Sequence, residues 1–128
     1  MEQYIGRIGI AEALVEREDT AQVVGSGSLL VYATPCMAAL MEGAACNCLE
    51  EILPEGQTSV GTMLNLNHLA ATPVGLEVSA EAELTAVDGR KLTFKITAKD
   101  EKGIIGEAVH ERFVVNAERF LQKTYEKI

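Results

Sequence analysis

Between Leu76 and Ala98 apolar and polar residues alternate. Leu76, Val78, Ala80, Ala82, Leu84 and Ala86 stand at even positions, and so do Leu92, Phe94, Ile96 and Ala98. A period of two places every second side chain on one face, so the pattern predicts two half-buried strands over 76–87 and 90–100. The turn between them sets their register. A two-residue Asp-Gly loop would pair even with odd. A three-residue loop, Val87-Asp88-Gly89, with glycine in the left-handed position of a bulge, pairs 84 with 92, 82 with 94 and 80 with 96. The same register sets Glu81 opposite Lys95 and Glu77 opposite Lys99 on the wet face. Two further strand-like runs, 58–70 and 104–115, are bounded by turn signals at Pro73-Val74-Gly75 and Lys102-Gly103. The four together predict an antiparallel meander.

The stretch before them follows a different pattern. In "TPCMAALMEGAACNC", residues 34–48, Ala38, Ala39, Leu40, Met41, Ala44, Ala45 and Cys46 cover all sides of a helical cylinder. A helix apolar all round is enclosed, so a sheet is expected to wrap it. Thr34 is expected to cap its first free N–H groups, with Pro35 at the first helical position. The helix is expected to run to about Leu49 or Ile52, before Pro54-Glu55-Gly56. Upstream, "YIGRIGIAEALV" suits a first strand, and "NAERFLQKTYEKI" suits a short final helix capped by Asn116. The class is therefore α+β, with a curved antiparallel β-sheet wrapped around one long central helix, the hot-dog fold. No repeat or linker divides the chain, and one domain over residues 1–128 is expected. A small curved sheet leaves strand edges to be paired, which points to a homodimer.

Composition narrows the partners. With 19 acidic against 11 basic residues the net charge is −8, which removes the Lys/Arg-rich footprint needed to grip nucleic acid. No apolar stretch is long enough to span a bilayer, and no export signal opens the chain, so no membrane partner and a cytoplasmic location are expected. Cys36, Cys46 and Cys48 lack the paired spacing of a zinc site, so no metal is expected and reduced core thiols are the simplest account. "GSGS" at 25–28 reads as a flexible loop, without the third glycine and helix of a dinucleotide fingerprint.

Three residues do not fit the apolar pattern: Thr34 at the helix start, Glu42 in its middle, and His68 in "NLNHLAATPVG". A carboxylate in an apolar helix needs a partner or a reaction to account for it, because unpaired burial is costly. From the residues alone both accounts of Glu42 stand. His68 is equally served by a strand hydrogen bond, and Thr34 by its capping role.

"VYATPCMAALMEGAA", "TSVGTMLNLNHLAATPVG", "VDGRKLTFKITAKDE" and "IGEAVHERFVV" resemble, in order and over roughly residues 10–120, the fluoroacetyl-CoA thioesterase group of hot-dog proteins. The resemblance implies hydrolysis of a small acyl-CoA thioester to the free acid and CoA, with CoA entering as part of the substrate and no other cofactor. It implies a catalytic set of Thr34, Glu42 and His68, since both family spacings are met, and a glycine beside the thioester, Gly61. Glu42 would attack or activate water, and His68 and Thr34 would orient the acyl group. The backbone N–H groups of Cys36 and Met37 would face the developing oxyanion, Pro35 having none to offer. In one respect the chain departs from the group. Its lid segment, "VVGSGSLLVY", carries no phenylalanine, and the first in the chain is Phe94. A strong preference for the fluorinated acyl group is therefore not expected. The alternative is a non-catalytic module that binds acyl-CoA or a small ligand on the same fold.

Overall fold

The computed structural model describes all 128 residues. Strands β1 (Ile8–Leu14), β2 (Gln57–His68), β3 (Glu77–Asp88), β4 (Lys91–Asp100) and β5 (Gly103–Asn116) form one antiparallel sheet in the order β1-β3-β4-β5-β2. The helices are α1 (Ala21–Val24), α2 (Thr34–Cys48) and α3 (Ala117–Tyr125). All the predicted elements are present, but the four-strand meander is corrected. β3, β4 and β5 do follow one another, whereas β2 lies at the far edge and pairs with β5, from Gln57 opposite Asn116 to His68 opposite Gly106. Segment 69–76 is more than a turn. Eight extended residues reach roughly 26 Å, ample to cross three strand spacings of about 4.8 Å. It is pinned midway by buried Thr72, whose hydroxyl donates to Asp100 at 2.8 Å.

The β3–β4 register is also corrected. The turn is the tight one, with Asp88 opposite Lys91 and Gly89 at φ +60°. It pairs even with odd, Val87 opposite Leu92, until a bulge at Thr85 restores even pairing, with Leu84 opposite Phe94, Ala82 opposite Ile96 and Ala80 opposite Ala98. The bulge does what the longer loop was expected to do. The opposed pairs on the outer face are consequently Glu83 with Lys95 and Ser79 with Lys99, in place of the two expected Glu–Lys pairs.

α2 lies across the concave face. Its Met37, Met41, Ala44, Ala45 and Cys48 are buried against the even-numbered residues of β3 and β4. The approach is close: a Cβ on Gly9 of β1 would overlap the backbone of Ala44 and Cys48. The other flank of α2 is open, because five strands cover only one side, and Ala39 and Cys46 are exposed. Within one chain the helix is thus half wrapped, and Cys48 alone of the three cysteines is a core thiol. α3 begins as expected, Asn116 Oδ1 accepting from the Arg119 N–H at 2.9 Å. No helix is long and apolar enough to cross a membrane.

Candidate active site

Two groups of polar side chains line α2. The first begins with Glu42, at mid-helix beside the open flank, its side chain 43% exposed. Its Oε1 lies 3.2 Å from Arg112 Nη1 and 3.8 Å from His110 Nε2. Arg112 projects inward from β5 with a side chain only 8% exposed. β2 holds it: Nε donates to Ser59 Oγ at 2.8 Å and Nη2 to the Ser59 carbonyl at 3.1 Å. His110 Nδ1 sits 2.7 Å from the Met63 carbonyl, which assigns the ring proton to Nδ1 and leaves Nε2 to accept from Arg112 at 3.2 Å. Burial above all, with the Arg112 charge, lowers the His110 pKa, against the Met63 bond and Glu42, which raise it. The imidazole is therefore neutral at pH 7.

Gly61 faces Arg112 across the β2–β5 ladder. A Cβ there would overlap Glu42 Oε1 and come within 3.2 Å of Arg112 Nη1, so only glycine leaves this space to the carboxylate.

The second group is at the start of α2. Thr34 Oγ1 and His68 Nδ1 are 2.7 Å apart, and His68 Nε2 is buried without a partner. Thr34 is not the cap it was expected to be. Ala33 holds that position and offers no side-chain oxygen, so the Thr34 hydroxyl is free for His68. With Val31, Tyr32 and Leu69 the pair lines a cavity of about 380 Å³ whose wall includes Ser26 of the glycine-rich loop.

The expected oxyanion donors are otherwise engaged. The N–H groups of Cys36 and Met37 both point at the Ala33 carbonyl, at 3.0 and 3.1 Å, closing the first helical turn. The Cys36 thiol is pushed up by burial and by Asp19, away from the thiolate a nucleophile needs.

The structure therefore joins Thr34 to His68 and Glu42 to Gly61, but not the two groups to each other. Eight residues of helix rise about 12 Å, which keeps Glu42 out of reach of the Thr34–His68 pair in the same chain. Arg112, His110 and Ser59 were not foreseen. The signal for the first two was their even numbering on β5, in line with buried Ala108 and Val114.

A curled five-stranded antiparallel sheet on a single long helix, with an acid at mid-helix and a Thr–His pair at its start, defines a hot-dog protein of the thioesterase type. Solved structures agree. The fluoroacetyl-CoA thioesterase matches with a TM-score of 0.90 at 33% identity, over 97% of this chain and 96% of that one. A variant of that enzyme in complex with fluoroacetate and CoA matches at 0.85 and 34%, over 91% and 98%. A thioesterase superfamily member from Thermus thermophilus gives 0.85 at 26%, over 97% and 96%. In sequence, the fluoroacetyl-CoA thioesterase of Streptantibioticus cattleyicolor is 41% identical over 97 residues, 76% of this chain and 70% of that protein. The family model for fluoroacetyl-CoA-specific thioesterases matches residues 15–118. The chain belongs to that family.

Proposed function

We propose that this chain, as a single hot-dog domain, hydrolyses a small acyl-CoA thioester to the free acid and CoA, using Thr34, Glu42 and His68. Membership of the family makes it a thioester hydrolase; the residues' roles are inferred from their geometry. The observation that carries the assignment is the Glu42 carboxylate, aimed over side-chain-free Gly61 by a buried arginine that β2 holds in place. From there Glu42 takes a proton from water as the water oxygen adds to the thioester carbonyl. The C–S bond then breaks and the thiolate of CoA leaves, regaining a proton. The Thr34–His68 pair orients the acyl group. The Thr34 N–H, which has no backbone acceptor, replaces those of Cys36 and Met37 as the helix-start donor.

A homodimer completes such a site. β2 is an edge strand with one side unpaired. Antiparallel pairing of two β2 edges centred near Leu64 sets His68 of one chain beside the Gly61 region of its neighbour. That arrangement would bridge the separation between the two groups and cover the open flank of α2. The proposed setting is cytoplasmic, with no metal and no cofactor beyond the CoA of the substrate.

The test is free-thiol release across acetyl-, fluoroacetyl-, branched, medium-chain and aromatic acyl-CoA esters. Turnover is expected without a large preference for fluoroacetyl over acetyl, since the lid segment 23–32 carries no phenylalanine and the one aromatic lining the Thr34–His68 cavity is Tyr32. No thiol release from any ester overturns the proposal.

A further inference from the structure

Another cavity lies away from this site. It has a volume of about 590 Å³, runs along α3, and is lined by Arg90, Arg119, Lys123 and Lys127, with Glu126 as its one acid and Phe120 as its aromatic wall. In a chain with 19 acids and 11 bases, four cations facing one acid invert the overall balance. None of the four is neutralised: the ion pairs of the molecule are Lys91 with Glu111 and Glu42 with His110 and Arg112. Like charges gathered in one cleft repel one another and favour a polyanion between them. Phe120, 43% exposed, adds a flat apolar face to which a purine ring can stack.

The cleft also continues toward β2. A second cavity of about 430 Å³ shares Arg90, Asn116 and Arg119 with it and extends to Gln57. Gln57, Ser59 and Gly61 share one face of β2, and the last two already meet Arg112 and Glu42. From Gln57 to Gly61 is roughly 13 Å at about 3.3 Å per residue. The extended pantetheine arm of CoA, a linear chain with two amides, spans a gap of this size.

We infer that the basic cleft between α3 and Arg90 binds the phosphorylated adenosine end of CoA, its cations holding the phosphates and Phe120 the adenine. The inference rests on the acyl-CoA assignment above. It is tested with the double variant Arg119→Ala/Lys123→Ala, which removes two exposed side chains and spares the Asn116 cap, because that bond uses the Arg119 backbone. Steady-state kinetics are compared on an acyl-CoA and on the same acyl group carried by N-acetylcysteamine, which has no phosphate. Loss of two charge-assisted contacts should raise KM for the CoA ester by about tenfold or more. kcat, and both constants for the short ester, should stay unchanged. An unchanged KM on CoA, or equal losses on both esters, overturns the inference. Equilibrium titration with adenosine 3′,5′-bisphosphate separates it from the catalytic assignment. If no ester is turned over, binding that the double variant abolishes still supports a phosphate site. No binding to the unaltered chain, or tighter binding of ATP, rules out CoA as the source.

Discussion

Replacing Glu42 with glutamine separates a reacting carboxylate from one kept for the fold. A fully buried ion pair that loses one partner costs roughly 3–5 kcal/mol. Glu42 does not meet that description: its side chain is 43% exposed, and only Arg112 is buried. An ion pair so open to water contributes no more than about 1 kcal/mol. Glutamine keeps a carbonyl oxygen for Arg112 Nη1, and Arg112 keeps both bonds to Ser59. The melting temperature should therefore fall by less than about 5 °C, given the enthalpy of a domain this size. Turnover should fall on the order of 10²-fold or more, the scale lost with a positioned acid or base. Thiol release and thermal melting on one preparation give both numbers. A fall in Tm beyond about 10 °C, with residual activity tracking the folded fraction, would refute the argument and assign Glu42 to the fold.

Gly61→Ala should displace the Glu42 carboxylate, because the new Cβ occupies its place. Turnover should collapse while Tm changes little, since a flexible side-chain end can move aside; retained activity would show that Glu42 does not work from that position. His110 gives a pH signature. Its pKa is lowered in the folded state, so below about pH 6.5 the unfolded chain binds the proton more readily and stability falls with pH. His110→Gln should flatten that part of the Tm-versus-pH curve, and an unchanged slope would contradict the buried neutral imidazole. Light scattering at micromolar concentration should show a dimer, and a monomer that still hydrolyses the thioester would contradict a site shared across the β2 edges.

Period-two alternation made β3 and β4 legible because burial on one face is written into every second residue. It could not say which strand lies beside which. β2 obeys the same local rules whether it pairs with β3 or β5, and its place was decided by the length of segment 69–76 and by the anchor at Thr72. The β3–β4 register failed for a related reason: even-to-even pairing can be reached through a longer loop or through a bulge, and nothing in the alternation separates a shift at Val87 from one at Thr85.

Thr34, Glu42 and His68 stood out because each interrupts an apolar pattern, yet their spacing already held a warning. Eight residues of helix put Thr34 and Glu42 about 12 Å apart, too far to act together within one chain. The other half of the arrangement was written in "AVHERFV". His110 and Arg112 share the parity of Ala108 and Val114, so β5 sends an arginine into the core, where an acceptor, best an anion, is favoured beside its guanidinium. Glu42 is the sole acid of the helix that packs there. The lone acid and the buried cation account for each other, which would suffice for a structural pair. What that account does not require is the exposure of Glu42. A pair kept only for the fold is best shut off from water, whereas this carboxylate side chain is 43% exposed on the open flank of α2, where a thioester can reach it.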